Sequence, residues 1–313
     1  MRIKIFILSL LLLVQLGLAL AMGLGGQNLK AFDATENLLS LDKTQVDHLV
    51  FEGTDGQKLV LQKNADHWRL PDHYKALADD QKIEDLLTSL SELRRPWPVA
   101  EKGTAHKRFK VADDTFERRL TFFHGEKELG GLLLGSSPGF RKVHARVAGE
   151  ELVYDIPFSN YQVSLKPEDW LDKGQLKLKA EQIKSITLAD CRLRQQDKKL
   201  VIEGLSDTEQ TQAAKASELL NKLANLTIID VIAKPEQSLA TNPELSIDLK
   251  LADGRDRSYR FYQGAADKEL QLQVSDQPWL YKLSPGMKDE LGGFTRAALV
   301  EARAAEAAAA ATN

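Results

Sequence analysis

The sequence predicts an α+β fold with two tandem similar units, each an antiparallel β-sheet covered by one amphipathic helix, after a single N-terminal transmembrane helix. Three observations support this prediction: an apolar run at the start of the chain, an order of segments that recurs, and two matching apolar helix stripes. A chain of 313 residues, 43% of them hydrophobic and 28% charged, has the length for about two globular domains.

The apolar run extends over residues 5–26 and follows Arg2 and Lys4. As a helix it reaches ~33 Å, enough to cross a hydrocarbon core of ~30 Å. We therefore expect residues 1–28 to be a membrane anchor that contacts the lipid bilayer through residues 5–26. A cleaved signal peptide is the alternative, because Ala19-Leu20-Ala21 fits a cleavage site.

The basic flank of the apolar run indicates on which side of the membrane the rest of the chain lies. Basic residues hold the flank that carries them in the cytoplasm. The expected localisation is thus the inner (cytoplasmic) membrane, single-pass, with the N-terminus cytoplasmic and the C-terminal domain periplasmic.

The first sign of duplication is a pair of predicted strands. The segment TQVDHLVFEG (44–53) aligns with EQIKSITLAD (181–190), and both are rich in β-branched and apolar residues. Each leads to a second short predicted strand, at 59–61 and at 200–202. Apolar and polar residues alternate from Ile183 to Leu193, and we interpret this segment as one continuous run that includes Cys191.

A helix follows in each half, and its apolar positions recur at one constant offset. The i, i+3, i+4, i+7 spacing puts them on a single stripe that faces a core. The paired positions are Ile83, Leu86, Leu87, Leu90 and Leu93 in the first half and Ala216, Leu219, Leu220, Leu223 and Leu226 in the second.

A four-strand antiparallel meander is predicted after each helix, with hairpin turns at Gly125 and Gly254. The predicted boundaries are 1–28 for the anchor, 40–160 for the first unit, 161–180 for a connector, 181–293 for the second unit and 294–313 for an Ala-rich tail. Beyond Phe294 the sequence favours helix but has no patterned apolar face after Val300, so we expect a frayed helix or a disordered tail.

Five segments follow one another along the chain: HWRL (67–70), an acidic helix start, LLLG (132–135), VYDIP (153–157) and EDWLDKGQLKL (168–178). In this order they resemble the domain-of-unknown-function 4340 family, and the resemblance covers roughly residues 40 to 290. Members of that family are membrane-anchored envelope proteins, some similar to auxiliary components of gliding-motility-type ABC transporters. The resemblance implies an accessory role beside a membrane protein complex of the ABC permease type, and no catalytic residues.

Composition and motifs argue against several kinds of chemistry. A net charge of -3 gives no electrostatic basis for binding nucleic acid. Cys191 is the single cysteine, so it cannot form an intramolecular disulfide. The string Gly135-Ser136-Ser137-Pro138-Gly139 fits G-x-S-x-G, but it leads to an alternating run rather than a helix, and no carboxylate lies between Ser137 and His144.

Carboxylates and histidines give no clear metal motif either. Asp79, Asp80, Glu84 and Asp85 lie at the start of the first helix, where acidic side chains cap free amides. The six histidines have no i, i+4 pair. We therefore expect no catalytic residue, no cofactor and no metal ligand.

The segment Arg94-Arg95-Pro96-Trp97-Pro98 is the strongest candidate for a binding surface. Arginine and tryptophan are frequent binding hot spots, and two prolines restrict the loop. Arg94, Arg95 and Trp97 are thus candidate partner contacts. The competing interpretation, which the residues favour, is helix-end electrostatics with Trp97 packed in the core.

The expected function is that of a non-enzymatic, membrane-anchored periplasmic interaction or scaffolding protein, accessory to an ABC-type transporter complex. The alternative is an envelope ligand-binding module for peptidoglycan or polysaccharide. The sequence leaves the partner and the oligomeric state open.

Overall fold

A computed structural model describes most of the chain between Glu36 and Arg303. The described residues are Leu12, Gln15, 36–197, 199–233, 242–264 and 269–303. Apart from Leu12 and Gln15, the predicted anchor lies outside the described residues, as does the tail from 304 on. Within the described ranges, no helix is long and apolar enough to cross a membrane.

The described chain is mainly antiparallel β-sheet with a few helices, which confirms the α+β prediction. The larger sheet has nine strands in the order β4-β3-β2-β1-β8-β9-β10-β11-β5. Its strands are β1 (His48–Gly53), β2 (Lys58–Asn64), β3 (His67–Leu70), β4 (Ala76–Leu77), β5 (Pro98–Ala100), β8 (Arg118–His124), β9 (Lys127–Leu134), β10 (Val143–Val147) and β11 (Val153–Ile156). Strands β6 (Val111–Ala112) and β7 (Thr115–Phe116) pair separately.

The second sheet has eight strands in the order β14-β13-β12-β17-β18-β19-β20-β16. They are β12 (Ile183–Thr187), β13 (Arg192–Gln196), β14 (Lys199–Ile202), β16 (Asp230–Ala233), β17 (Leu245–Leu251), β18 (Asp256–Gln263), β19 (Leu270–Val274) and β20 (Leu280–Leu283). Strands β15 (Glu209–Thr211) and β21 (Val300–Ala302) form a separate pair.

Five α-helices complete the described chain: α1 (Asp80–Ser91), α2 (His106–Phe109), α3 (Ala213–Ala224), α4 (Met287–Gly292) and α5 (Arg296–Leu299). Helix α1 begins where the Asp79 carboxylate accepts a hydrogen bond from the Lys82 amide at 3.0 Å. All ten predicted stripe residues of α1 and α3 and of the turns that follow them are buried, which confirms both helix faces.

Both predicted hairpin glycines lie in turns that need a positive φ. Gly125 joins β8 to β9 with a φ of 56°, and Gly254 joins β17 to β18 with a φ of 88°. Each turn joins the first two strands of a predicted four-strand meander, which is β8 to β11 in one sheet and β17 to β20 in the other. Glycine adopts this left-handed backbone without the steric cost that other residues incur.

The described residues group into two compact units. The first comprises the residues up to Val46 together with Val50–Lys58 and Asp85–Val163. The second comprises Asp47–Leu49, Leu59–Glu84 and the residues from Ser164 onward. The predicted connector 161–180 contains buried side chains, among them Trp170, Leu171 and Leu176.

Two local predictions are wrong. The run from Ile183 to Leu193 is two strands, because the chain reverses after Thr187 and Ile186 pairs with Leu193. In chain order, the predicted strand at 200–202 is therefore the third strand of the eight-stranded sheet. Residues 59–61, its predicted counterpart, lie in the second strand of the nine-stranded sheet. The alternation is continuous across the turn, so the turn left no signal.

The predicted frayed tail is also wrong as far as Arg303. Leu299 is fully buried in helix α5, and β21 pairs with β15 through Val300 opposite Thr211. Tertiary packing of Phe294 and Leu299 stabilises a segment whose composition alone indicates no core.

Leu87→Asp tests the assigned helix face, with Ser89→Asp on the exposed face of the same helix as its control. A carboxylate at position 87 would be buried without a partner. We expect Leu87→Asp to lower the free energy of unfolding by about 3 kcal/mol or more and Ser89→Asp by less than about 0.5 kcal/mol. Urea unfolding of the detergent-solubilised chain measures both, and equal stability would show that the face is misassigned.

Candidate functional site

The segment after α1 is held in a fixed backbone path. The Leu38 amide donates to the Leu93 carbonyl at 2.7 Å, and the Arg95 amide donates to the Glu36 carbonyl at 2.9 Å. Asn37 and Arg94 form an isolated antiparallel bridge between these two bonds. The chain therefore enters the first unit beside the candidate segment and fixes its conformation.

Arg95 has a structural role in this segment. Its guanidinium donates to both oxygens of the Glu150 carboxylate, at 3.0 and 2.9 Å, and to the Tyr154 hydroxyl at 3.3 Å. The same group lies 5.6 Å from the centre of the Tyr154 ring. The hydrogen bonds to Glu150 raise the pKa of Arg95, and burial raises the pKa of Tyr154. This paired, half-buried cation joins the loop to the β10–β11 hairpin.

Arg94 and Trp97, by contrast, lie on the surface. Trp97 is 68% exposed, so the favoured interpretation of a core-packed tryptophan is wrong. It precedes the edge strand β5, on which Val99 is also exposed. Arg94 is exposed and donates to the Asn37 side-chain oxygen at 2.7 Å. Two of the three candidate contact residues thus face solvent on a constrained backbone.

Arg94 lies between two open clefts. The first, of about 520 Å³, is lined by Asp85, Thr88, Ser89, Glu92, Leu93, Arg94, Pro96, Asp155 and Pro157. The second, of about 590 Å³, is lined by Glu36, Asn37, Leu39, Ser40, Leu41, Asp42, Arg94 and Arg95. We name the first of them the α1 cleft. One wall is the exposed face of α1, which carries the Asp85 carboxylate, and the Glu92 carboxylate follows directly after the helix.

The structure brings together a serine, a histidine and a carboxylate that sequence order did not connect. The Ser136 hydroxyl lies 3.1 Å from His144 Nδ1, and His144 Nε2 lies 3.3 Å from Asp155 Oδ1. The order expected from the G-x-S-x-G motif would place the acid between serine and histidine. Here the acid comes from the next strand, where Asp155 is opposite His144.

This trio does not have the hydrogen bonding of an activated serine. His144 Nδ1 also lies 2.7 Å from the Ser136 carbonyl, which can only accept a hydrogen bond. Nδ1 therefore carries the proton in that bond and cannot take one from the Ser136 hydroxyl, as a general base must. In this arrangement the imidazole connects the start of the β9–β10 loop to β11.

Ser137, the serine of the G-x-S-x-G string, stabilises the tip of that loop. Its hydroxyl lies 2.8 Å from the Gly139 carbonyl and 2.7 Å from the Lys142 carbonyl. The loop joins the antiparallel strands β9 and β10, so the string forms a hairpin connection. Gly135 serves packing, because a Cβ there would lie 2.0 Å from the Phe109 carbonyl oxygen.

The carboxylates at the start of α1 have local partners. Asp79 caps the helix, and Asp80 accepts from the Trp68 amide at 2.7 Å and lies 2.6 Å from His67 Nδ1. Asp79, Asp80 and Asp172 line one cavity of about 280 Å³. Burial and the charges of Asp79 and Asp80 raise the pKa of Asp172. Among the described residues, no group of three or more potential ligands could hold a metal ion.

The other histidines bind separate partners. His73 pairs with Asp230 at 2.8 Å, and both belong to the second unit. His106 and His124 each lie within hydrogen-bond distance of a backbone carbonyl. Cys191 lies half-buried in the turn between β12 and β13, where burial and the nearby Asp190 raise its pKa to about 11. The thiol is thus protonated and weakly nucleophilic at neutral pH.

Comparison with protein families matches residues 68–244, more than half of the chain, to the family described as Domain of unknown function (DUF4340). The chain belongs to the DUF4340 family. The match begins at Trp68 in β3 and ends just before β17. No curated protein and no solved structure matches the chain.

Arg95→Ala tests the structural role of Arg95, with the adjacent Arg94→Ala as its control. Removing Arg95 leaves the Glu150 carboxylate without its bidentate partner, and about a third of each side chain is exposed. We expect a loss of about 1 to 3 kcal/mol in the free energy of unfolding, against less than about 0.5 kcal/mol for Arg94→Ala. Equal losses in urea titrations would assign Arg95 to the surface.

Proposed function

We propose that this DUF4340 protein is a non-enzymatic, membrane-anchored periplasmic interaction protein, accessory to an ABC-type transporter complex. In this proposal residues 5–26 hold the chain in the bilayer, and the α1 cleft with Arg94 and Trp97 contacts a membrane protein of the complex. The transporter context comes from the family resemblance. The geometry of the α1 cleft supports the location that we propose for the contact.

The observation that supports this surface is the combination of exposure and rigidity. Trp97 is 68% exposed, yet its backbone neighbours are held by residues 36–38 and by the Arg95–Glu150 pair. A preorganised aromatic and arginine pair loses little conformational entropy on binding. The carboxylates of Asp85 and Glu92 favour a partner segment that carries basic residues.

The order of strands supports the proposal that the two halves arose by duplication. Eight strands of the larger sheet have the same connectivity as the eight strands of the smaller sheet. Their spatial orders are β3-β2-β1-β8-β9-β10-β11-β5 and β14-β13-β12-β17-β18-β19-β20-β16. In both, a buried-stripe helix lies between the third strand and the meander. Exposed Trp97 has no aromatic counterpart among the described residues around β16, so we assign the partner contact to the first half.

An envelope polymer is the second candidate for the same cleft. Its open volume of about 520 Å³ beside an exposed indole and several polar side chains is large enough for a sugar unit of peptidoglycan or polysaccharide. This ligand would engage Trp97 by stacking and would not require a membrane protein nearby.

Site-specific photo-crosslinking in intact membranes tests the proposal. The crosslinker replaces Ser89, in the α1 cleft, and as a control Glu126, in the β8–β9 turn. We expect Ser89 to yield an adduct with an integral membrane protein, and Arg94→Ala combined with Trp97→Ala to weaken it at least about tenfold, as the loss of a binding hot spot predicts.

Three outcomes would contradict the proposed contact. Adducts of equal yield from Glu126 would show that the cleft is not selective. Absence of adducts from a chain that floats with its membranes would exclude a partner at this cleft. A chain that purifies alone and sediments with isolated cell-wall sacculi through Trp97 would favour the polymer.

A further inference from the structure

Three connecting segments of the first unit meet at Gly135, the residue that follows strand β9. The Ser136 amide donates to the Phe109 carbonyl of α2 at 3.0 Å. On the other side, the Asn160 side-chain amide donates to the Gly135 carbonyl at 3.0 Å and to Glu117 at 2.8 Å. Helix α2, the β9–β10 loop and the 3-10 helix Asn160–Gln162 are thus held at one end of the sheet.

Two aromatic side chains project from these segments with almost no cover. Phe140 is 88% exposed and Tyr161 is 96% exposed. Both residues lie in segments whose backbone is held by hydrogen bonds. The Lys142 amide donates to the Gly139 carbonyl at 3.2 Å across the loop tip, and Ser159 accepts from the Tyr161 amide at 3.4 Å. Two almost fully exposed aromatic rings at one end of the sheet are therefore a candidate surface for contact with an apolar phase or partner.

Exposed cations lie beside Phe140 and beside Phe109 of helix α2. The Arg108 guanidinium lies 4.5 Å from the Phe109 ring centre, and that of Arg141 lies 5.1 Å from the ring of its neighbour Phe140. Arg108, Arg141 and Lys142 are exposed, and none has a carboxylate within salt-bridge distance in the described part of the chain. Lys107 and Lys110 nearby are neutralised by Asp114 and Glu117. We name Arg108, Phe140, Arg141, Lys142 and Tyr161 the loop surface.

The chain enters the first unit at the same end of the sheet. Pro98 of β5 is opposite Tyr154 of β11, so Trp97 is at the level of Asp155 in the sheet. Asp155 is opposite His144, and the His144 carbonyl accepts a hydrogen bond from the Gly135 amide. Glu36 pairs with Arg95, two residues before Trp97. The nine residues 27–35 separate the apolar run from Glu36 and span at most ~32 Å. An anchor at 5–26 would therefore keep this end near the bilayer.

We propose that the loop surface docks on the bilayer that holds the anchor, with Phe140 and Tyr161 in the interfacial layer and Arg108, Arg141 and Lys142 on anionic lipid headgroups. The inference rests on the proposed membrane anchoring. Aromatic rings with adjacent cations are the pattern of membrane interfaces, where rings lie at headgroup level and cations bind anionic lipid. Phe140 and Tyr161 line neither of the clefts beside Arg94 and are almost fully exposed, which suits a lipid interface better than the packed pocket of a protein hot spot.

Quenching of a tryptophan placed at position 140 tests the proposal in the full chain. The variant carries Trp97→Phe and Phe140→Trp, because Trp68, Trp170 and Trp279 are at most 6% exposed and give a shielded background. The chain is reconstituted into vesicles of phosphatidylcholine, with or without phosphatidylglycerol, that contain bromine-labelled acyl chains. Flotation of the vesicles reports anchoring independently of the fluorescence.

We expect the tryptophan at position 140 to be quenched and blue-shifted in the anionic vesicles. Quenching should fall several-fold when salt screens the headgroups or when Lys142→Glu reverses one charge. Lys127→Glu, an equal charge change at the opposite end of β9, should leave it unchanged.

Each other outcome counts against a defined part of the proposal. Flotation without quenching overturns membrane docking and leaves anchoring intact, and a protein adduct at position 140 would then identify a protein surface. Quenching that is equal in neutral vesicles and insensitive to Lys142→Glu overturns the recognition of anionic lipid. A chain that does not float overturns the anchor and the docking together.

Discussion

The surface of the first unit depends on how closely two backbone segments approach each other at Gly135. A side chain there would overlap the carbonyl oxygens of Phe109 and Lys110, so only glycine permits the contact. With the segments in contact, the Phe109 carbonyl binds the Ser136 amide, and the Phe109 ring packs against His144 at 4.4 Å. This contact determines where the β9–β10 loop leaves the sheet, and hence where Phe140 and its neighbouring cations are displayed.

The remaining features of this end are set by strand register. Because His144 is opposite Asp155 and Tyr154 is opposite Pro98, the loop surface and Trp97 lie at one level of the sheet. The Arg95–Glu150 pair and the bonds from residues 36–38 then fix the segment between them. A docked loop surface would bring the α1 cleft close to the membrane, where a permease-type partner is accessible. The two proposals thus use adjacent, separate surfaces.

The two amphipathic helices, the two meanders and the family could be predicted from the sequence. Stripe positions such as Leu87 and Leu220 are determined by helical periodicity, and Gly125 and Gly254 are determined by the backbone that a tight turn requires. The sequence did not reveal the turn that contains Cys191, because the apolar alternation continues across that turn. It also misplaced Trp97, since residue type alone cannot distinguish a core tryptophan from one on an edge. Tertiary register, which no local pattern encodes, joined Ser136 to His144 and Asp155.

The most direct test of the Gly135 contact compares Gly135→Ala with Gly139→Ala. An added methyl group at position 139 meets no atom within 4 Å, whereas one at 135 lies 2.0 Å from a backbone oxygen. Amide hydrogen exchange of Ser136 and His144, together with urea unfolding, measures the effect. We predict that Gly135→Ala alone loses about 2 kcal/mol or more and exposes both amides to exchange. Equal stability and equal protection in the two variants would contradict the role assigned to this contact.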